Sequence, residues 1–385
     1  MKTRNLIIFA ILSTLMVFTS FSEYGMTCQA QETELYPVRV NGKEGYIDAT
    51  GRMVIKPQFD YASYFYEGLA SVVIDGKFGF INKSGKFVIS PQFDVAKDFS
   101  EGLAIIWKGH EISSNKNIGY IDKTGKIVIS PQFDWANNFS EGLAAVRVGD
   151  YDNGKWGFID KTGRFVINPQ FARASNFSGG IAAVFVGVFG DGKWGYIDKT
   201  GKVLFDFFHV YDFSEGLAHV SQKDKEGYID KTGNFVINIQ AHSFGAHEFY
   251  GDFKEGLAQV GTFNFTDDYK QCNYKVGFID KTGRLVINLQ FDKVEDFSDG
   301  FSCVRIGGKY GIGRYGYIDK TGSYVINPQF DYAESFRGGI APVVINDQFH
   351  YIDKKGSIIW DNTEVPTYIK NNIGDLKTQE DHIRK

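Results

Sequence analysis

The chain has 385 residues, of which 43% are hydrophobic and 16% aromatic, and its formal net charge is −4 at pH 7. This apolar content excludes a mostly disordered chain, and the 35 Phe and 21 Tyr favour strands over helices. The 42 basic and 46 acidic residues are spread along the chain without a basic stripe, which argues against nucleic acid as a partner.

The first 30 residues have the pattern of an export signal. Lys2 and Arg4 precede an apolar run over 6–21, and Cys28 and Ala30 occupy the −3 and −1 positions of a cleavage site. The run is shorter than the ~20 residues of a membrane-spanning helix. We therefore expect cleavage after Ala30 rather than an uncleaved membrane anchor, and a mature protein that is periplasmic, on the cell surface or secreted. Lipidation of Cys28 is the less favoured alternative, because 25–27 match a lipidation box poorly.

After the signal, one phrase recurs through most of the chain. Its clearest copy is Gly-Phe-Ile-Asp-Lys-Thr-Gly at 157–163, followed by Arg-Phe-Val-Ile-Asn-Pro-Gln-Phe at 164–171. Eight copies open on glycine and a ninth has His350 in that place, with spacings between 32 and 50 residues. Such a period is typical of solenoids and propellers. The predicted organisation is a signal peptide (1–30), a repeat array (31–360) and a polar tail (361–385).

Each copy predicts a β-hairpin. Asp-Lys-Thr-Gly between two strand-like segments suits a type I turn, in which Asp accepts bonds from backbone amides and Gly takes the left-handed conformation of a bulge. A further strand precedes the hairpin, as in Gly-Leu-Ala-Ala-Val-Arg-Val at 142–148. The unit is therefore predicted to be a three-stranded meander. A unit of under ~40 residues buries too little surface to fold alone, so neighbours must stabilise one another.

A connector at 131–142 links one meander to the next. Its Pro131 is expected to stop the strand, and Phe133 and Phe139 to fill the gap between neighbouring units. Whether it also contains a short fourth strand or a helical turn stays open. Insertions fall in the loop between the first strand and the hairpin, short at 149–154 and long at 261–275, which predicts that they extend from one edge of the array.

Two all-β architectures fit this period. Both ends of the array show complete meanders in the same phase, whereas a closed ring usually pairs strands from both termini in one blade. The favoured expectation is therefore an open, superhelical stack of about nine meanders, with an eight- or nine-bladed β-propeller as the alternative.

The phrases Lys155-Trp156-Gly157 and Lys193-Trp194-Gly195, each followed by Phe or Tyr and Ile-Asp-Lys-Thr-Gly, resemble the bacterial WG-repeat family, also called KWG repeats. The resemblance covers Tyr36 to Trp360. It departs at the Trp itself, which most copies replace. The resemblance implies a repeat architecture without a general catalytic activity, in a family whose function is mostly described as unknown or of interaction type.

Five residues are candidates for binding. Trp135, Trp156 and Trp194 could stack on sugar rings, although filling gaps between units is the alternative. His219 and Gln259 belong to a position after Leu-Ala that changes from copy to copy on a constant frame, where recognition would reside; tolerance at a solvent-facing position is the simpler explanation. The members of this position are Ser71, Ile105, Ala145, Ala183, His219, Gln259, Cys303 and Pro342.

Metal, cofactor and catalytic motifs are not expected. The turn aspartates from Asp48 to Asp353 serve the backbone rather than calcium, because no loop has dense alternating carboxylates. His242, His247 and Glu248 lack the spacing of a zinc site, and the glycine-rich run at 308–313 lacks the helix of a phosphate site. Cys272 and Cys303 can be two free thiols or a disulfide, because spacing cannot decide.

These observations predict an exported, non-catalytic scaffold that binds protein partners in the cell envelope or outside the cell. The alternative is a glycan or cell-wall binding module that uses the tryptophans. A hydrolase is a third possibility that no motif supports. The sequence names neither the ligand nor the oligomeric state.

Overall fold

In the computed structural model, the described residues include 35 β-strands, which form nine antiparallel sheets arranged in a ring, a nine-bladed β-propeller. The structure describes residues 34–107, 117–150, 153–188, 191–222, 225–239, 248–265, 272–307, 313–362, 364–366 and 369. Residues from Glu34 onward form one compact unit. The all-β repeat array of nine units is thus confirmed, and the closed alternative is the architecture adopted.

The first blade has three strands and the others have four. Blade 1 consists of β1 (Leu35–Val40), β2 (Lys43–Asp48) and β3 (Met53–Phe59). Blade 2 consists of β4 (Tyr61–Ala62), β5 (Leu69–Ile74), β6 (Lys77–Asn82) and β7 (Phe87–Phe93). Blade 3 consists of β8 (Val95–Ala96), β9 (Leu103–Trp107), β10 (Ile118–Asp122) and β11 (Ile127–Phe133).

The next three blades repeat this four-stranded order. Blade 4 consists of β12 (Trp135–Ala136), β13 (Ala144–Val148), β14 (Lys155–Ile159) and β15 (Phe165–Phe171). Blade 5 consists of β16 (Arg173–Ala174), β17 (Ile181–Val186), β18 (Lys193–Asp198) and β19 (Val203–Phe207). Blade 6 consists of β20 (His209–Val210), β21 (Ala218–Gln222), β22 (Lys225–Ile229) and β23 (Phe235–Ile239).

The last three blades complete the ring. Blade 7 consists of β24 (Glu248–Lys254), β25 (Leu257–Phe265), β26 (Cys272–Asp280) and β27 (Leu285–Phe291). Blade 8 consists of β28 (Lys293–Val294), β29 (Ser302–Ile306), β30 (Arg314–Ile318) and β31 (Tyr324–Phe330). Blade 9 consists of β32 (Tyr332–Ala333), β33 (Ile340–Ile345), β34 (Gln348–Asp353) and β35 (Ile358–Asn362).

The hairpin turn has the predicted conformation. In blade 4, Asp160 Oδ1 accepts bonds from Thr162 N at 2.9 Å, Thr162 Oγ1 at 2.5 Å and Arg164 N at 3.2 Å. Gly163 has φ 87°, and the register shifts between Phe158 and Ile159, as expected for a glycine bulge. The turn aspartate therefore serves the backbone, as the sequence predicts.

The predicted strand break at Pro131 is wrong, because β11 runs through it to Phe133. Pro131 lies instead in a second bulge, where Ile118 pairs with Phe133 and Tyr120 with Ile129. The fourth strand is the edge of its sheet, so the missing N–H of proline breaks no ladder bond there. The connector then forms the short first strand of the next blade, which settles the alternative that the sequence left open.

In the six blades that have this bulge, the backbone of the fourth strand crowds the glycine that opens the repeated phrase. A Cβ on Gly157 would lie 2.5 Å from the carbonyl oxygen of Ile167 and 2.7 Å from the nitrogen of Pro169. In blade 9 the fourth strand pairs without this bulge, with Phe349 opposite Asn362 and Tyr351 opposite Trp360, and His350 takes the glycine position.

The connector phenylalanines fill the gaps between blades, as predicted. Phe139 is 1% exposed and packs edge-on against Tyr120 of the preceding blade, with ring centroids 5.0 Å apart. It shares a cluster with Ile159 of its own blade. Seven equivalent pairs repeat this contact, with ring centroids 4.7–5.1 Å apart: Tyr46–Phe65, Phe80–Phe99, Phe158–Phe177, Tyr196–Phe213, Tyr228–Phe253, Phe278–Phe297 and Tyr317–Phe336.

A serine beside this phenylalanine bonds each blade to the next. Ser140 Oγ donates to the carbonyl oxygen of Phe177, the connector phenylalanine of blade 5, at 2.7 Å. The same bond occurs for Ser100, Ser178, Ser214 and Ser298. Because connectors of successive blades touch one another directly, this edge of each sheet is where the blades converge.

The Glu and Lys of the repeated phrases form a second link, which we call the carboxylate clasp. Glu101 Oε2 accepts from Gly142 N of the next blade at 2.9 Å and lies 3.3 Å from Lys161 Nζ in that blade's hairpin turn. Five further carboxylates occupy the same position and also accept from the next blade: Glu67, Glu141, Glu215, Glu255 and Asp299. The phrases thus recur because their polar residues join neighbouring blades.

The expected open stack is wrong, because blades 9 and 1 are in contact. Tyr36 Oη donates to the carbonyl oxygen of Arg337 at 2.9 Å, and Tyr351 Oη to that of Pro37 at 3.1 Å. The side chains of Tyr36, Val38, Tyr351 and Ile369 share one buried cluster. The first and last blades therefore bury each other's apolar faces.

The end of β35 and residues beyond it contact blade 1, which has three strands among the described residues, at the place where other blades have a short first strand. The Asn362 side chain donates to the carbonyl oxygen of Arg39, Gly42 N donates to Glu364 Oε2 at 2.8 Å, and Ile369 is fully buried. The array thus continues beyond Trp360, the predicted end of the repeats. The sequence showed complete meanders in the same phase at both ends of the array, which favoured an open stack. It did not reveal the closure, because residues 361–369 carry none of the repeated phrases.

Candidate functional site

Seven blades begin with a two-residue strand, and the first residue of that strand differs chemically from blade to blade. We call these seven residues the inner-strand row. Trp135 and Val95 are 41% and 39% exposed, and Arg173 and His209 are also exposed. The described members are Tyr61, Val95, Trp135, Arg173, His209, Lys293 and Tyr332. This row, rather than the position after Leu-Ala, is where side-chain identity varies at the surface.

The predicted tryptophans divide into one exposed and two half-buried side chains. Trp135 and Trp156 both lie opposite Arg147, from the two neighbouring strands of blade 4. Trp156 packs against the buried cluster of blades 4 and 5, and Trp194 lies edge-on to Phe185 with ring centroids 5.4 Å apart. Filling a gap between blades therefore applies to Trp156, whereas Trp194 packs within blade 5 and Trp135 is 41% exposed.

The sequence did not single out two neighbours of Trp135. Lys97 Nζ lies 5.5 Å from the ring centroid of Trp107 and 5.9 Å from that of Trp135, within the range of cation–π attraction. Four of the five Trp in the chain lie in blades 3–5, and Trp135 is the one that belongs to the inner-strand row.

The position after Leu-Ala is buried, in contrast to the solvent-facing position that was expected. Ser71 is 3% exposed, Ile105 0%, His219 5% and Cys303 1%. Each of these side chains lies on the second strand of its blade and faces the neighbouring blade, so its variation reflects packing between blades.

His219 and Gln259 have partners inside the ring. His219 lies among Tyr211, Tyr228 and Tyr250, with ring centroids 5.0–5.4 Å away. Gln259 Nε2 donates to Asp296 Oδ1 of the next blade at 2.6 Å. Neither side chain is arranged to meet a partner from solution.

The residue before each connector phenylalanine is polar in almost every blade, a signal that the sequence could have provided. We call this set the polar column; its members are Tyr64, Asp98, Asn138, Asn176, Asp212, Asp252, Asp296 and Ser335. Burial raises the pKa of the Asp98, Asp212 and Asp252 carboxyls, and Asp212 and Asp296 raise that of Asp252 further.

A cavity of about 410 Å³ opens between blades 2 and 3, beside the inner-strand row. Tyr61, Val73, Phe78 and Ala96 form its apolar wall. Its polar lining is Ser71 and Lys97 together with Asp98 and Asn138 of the polar column.

The described residues include no metal-binding cluster, and the free thiol of Cys303 among them is buried. No group of three or more His, Cys, Asp or Glu side chains among them is placed to hold a metal ion. Cys303 is a free, buried thiol whose pKa is raised by burial, and its Sγ lies 3.5 Å from the carbonyl oxygen of Ala333. A buried neutral thiol is a poor nucleophile. No helix in the described part is long and apolar enough to cross a bilayer.

Several predicted features lie outside the described residues. These are cleavage after Ala30, Cys28, His242, His247, and most of the glycine-rich run at 308–313.

These observations define a closed nine-bladed β-propeller whose blades are copies of one sequence repeat. The chain belongs to the WG containing repeat family, whose model matches residues 45–78, 78–109, 118–151, 156–187, 194–225, 277–310 and 315–349. No curated protein matches the sequence.

Three solved structures resemble the chain at low sequence identity. A eukaryotic initiation factor is 14% identical, with a TM-score of 0.63 over 88% of this chain and 98% of that chain. A prolyl endopeptidase structure is 10% identical, with a TM-score of 0.41 over 87% of this chain and 50% of that chain. Kluyveromyces lactis Hsv2 is 10% identical, with a TM-score of 0.35 over 65% of this chain and 97% of that chain. Only the first has a TM-score above 0.5, and at 14% identity its likeness concerns the fold alone.

Proposed function

We propose that this protein is an exported, non-catalytic scaffold that binds protein partners through the inner-strand row of blades 3–5. The observation that carries the proposal is the exposure of unlike side chains, Val95, Trp135 and Arg173, at one repeat position of a clasped ring. Aromatic and arginine side chains dominate the energy of protein interfaces. A surface that varies on a constant frame is what recognition requires.

The absence of a catalytic function is part of the proposal. Its support is the burial of Cys303 and of His219 among tyrosine rings in the described part of the chain. Export is supported by the N-terminal pattern of Lys2, Arg4 and the apolar run at 6–21. Mass spectrometry of the mature N-terminus tests export, since cleavage after Ala30 leaves Gln31 as the first residue.

Cross-linking in intact source cells followed by affinity capture tests partner binding. We expect specific proteins to be captured by the native chain and lost with Trp135→Ser. The matched control is Val236→Ala, because Val236 is 51% exposed on the fourth strand of blade 6, away from the row. Equal capture by native protein and Trp135→Ser would contradict a role of the row.

Glycan binding is the second candidate. It is favoured by the exposed indole of Trp135, which has Lys97 beside it. An indole face can stack on a sugar ring. Retention on purified cell-wall sacculi that is lost with Trp135→Ser, together with capture of no protein, would support this function instead of the scaffold.

A further inference from the structure

The cavity between blades 2 and 3 has a carboxylate that is only half satisfied. Asp98 Oδ1 accepts from Ser63 Oγ at 2.8 Å and from Ser71 Oγ at 3.1 Å. In the described part of the chain, Asp98 Oδ2 has no donor. Burial raises the pKa of the Asp98 carboxyl, although both serine hydroxyls and Arg337 lower it. A partly buried carboxylate with a free oxygen favours a donor or a positive charge from a ligand.

A second acceptor lies in the same lining. The side-chain oxygen of Asn138 is buried and has no hydrogen-bond partner among the described residues. Lys97 also lines the cavity, but its ammonium lies over the indole rings of Trp107 and Trp135. The polar end of the cavity therefore offers unused acceptors, and a ligand must supply the donors.

The rest of the lining selects the stem that carries those donors. Tyr61 and Phe78 lie with ring centroids 6.4 Å apart, and Val73 and Ala96 complete an apolar wall. An aromatic and aliphatic wall suits methylene groups, and aromatic faces attract a cation. The hydroxyls of a sugar would need more polar partners than this wall provides. Among the described residues, no cluster of three acidic or histidine ligands accompanies Asp98, which disfavours a divalent cation.

We propose that this cavity binds a primary ammonium group on an alkyl stem, the chemistry of a lysine side chain of a protein partner. The ammonium has three donors and no acceptor, so it can satisfy Asp98 Oδ2 and Asn138 Oδ1 while its stem lies along Phe78. Only the assignment of the ammonium group to a protein partner rests on the proposed scaffold function. Binding of an alkylammonium by the cavity does not depend on it.

Titration of the full chain with n-butylammonium chloride, at neutral pH and constant ionic strength, tests the site. Chemical shifts of labelled Trp and Asn side chains report binding. We expect saturable binding of n-butylammonium and at least about tenfold weaker binding of n-butanol, which lacks the charge. Asp98→Asn should weaken n-butylammonium binding by at least about tenfold. The variant should fold, because an asparagine oxygen can still accept from Ser63 and Ser71.

The matched control is Asp296→Asn. Asp296 occupies the polar column in blade 8, where Gln259 already donates to it at 2.6 Å, so this variant should leave n-butylammonium binding unchanged. Unchanged melting temperatures of both variants establish that each is folded.

Three results would overturn the inference: no saturable binding of n-butylammonium, equal affinity in Asp98→Asn, or glucose and calcium chloride binding more tightly than n-butylammonium. Failure of partner capture does not affect this test, because n-butylammonium binds without a partner. Conversely, loss of the ammonium site would leave the inner-strand row and its capture experiment intact.

Discussion

The hydroxyl of Tyr351 in blade 9 donates to the carbonyl oxygen of Pro37 in blade 1 at 3.1 Å, across 314 residues of chain. In other blades the equivalent tyrosine donates to the connector of the following blade, as Tyr120 does to the carbonyl oxygen of Asn137 at 2.7 Å. Blade 1 lacks such a connector, so the same donor takes its acceptor from β1. The ring thus closes with the ordinary contact between blades, adapted to a missing strand.

Closure should therefore depend on the residues after β35. Ile369 is fully buried against Tyr36, Val38 and Tyr351, where connectors of other blades place a phenylalanine. Ile369→Ala should destabilise the protein by about 2–5 kcal/mol, because it leaves a cavity in the closing interface. Denaturant unfolding followed by circular dichroism measures the change.

The control for this prediction is Ile358→Ala. Ile358 lies in β35 of the same blade and is 50% exposed, so its truncation should change stability by less than about 1 kcal/mol. Equal effects of the two variants would show that the residues after β35 do not contribute to closure.

Repeated phrases were enough to predict the nine units, the hairpin turn and the role of the connector phenylalanines, because each of these is a local property of one copy. Closure was missed because Glu364 and Ile369 act at the sequence position of a short strand without resembling one. Burial of His219 and the contact of Gln259 with the next blade were also missed, since variation between copies looks the same at a surface and at an interface between blades. Asp98 and Asn138 needed the structure, because a cavity between two blades has no signature within one copy.

A missing carboxylate clasp can be restored in blade 5. Gly179 stands where other blades carry Glu, and a Cβ there would lie 2.3 Å from the flexible end of Lys231, the clasp lysine of blade 6. Glu at this position adopts φ values near 50° elsewhere in the ring, and Gly179 has φ 66°. Gly179→Glu should stabilise the protein by up to about 1 kcal/mol, once Lys231 shifts to pair with it.

Gly179→Ala provides the control for the restored clasp. It introduces the same backbone strain at positive φ without a carboxylate, so it should destabilise the protein by about 1 kcal/mol. Urea midpoints of the three proteins should rank Glu above Gly above Ala. The same midpoint for Glu and Ala would contradict the clasp as a source of stability.

Of the two Lys-Trp-Gly copies, the one whose fourth strand bulges should tolerate a Cβ in place of the glycine hydrogen less well. At Gly157 a Cβ would meet backbone atoms 2.5–2.9 Å away, whereas at Gly195, where β19 pairs without the Pro bulge, its nearest contact is Phe205 O at 3.0 Å. Gly157→Ala should cost about 3 kcal/mol or more, and Gly195→Ala about 1 kcal/mol. Thermal melts of both variants measure the difference; equal melting temperatures would exclude the bulge as the cause.

Acid should weaken the ring through its turn aspartates. Hydrogen bonds from Thr162 and Arg164 outweigh a small desolvation effect and lower the pKa of Asp160 to about 2, and equivalent bonds lower the pKa values of Asp122 and Asp198. A carboxyl whose pKa is lower in the folded than in the unfolded state contributes stability above its ordinary pKa near 4, and that contribution is lost as the pH falls towards 2. We therefore expect these turns to lose stability between about pH 4 and pH 2.

The variant that tests this pH dependence replaces Asp122, Asp160 and Asp198 by Asn. Asparagine is compatible with the turn, since Asn82 in blade 2 accepts from the backbone nitrogens of Ser84 and Lys86 at 3.1 Å each. The triple variant should have a lower melting temperature than the native protein at pH 7, because it has lost three charge-assisted acceptors. Its melting temperature should fall less between pH 4 and pH 2, because three groups no longer take up protons on unfolding. Parallel curves for the two proteins across this range would assign the acid sensitivity to other carboxylates.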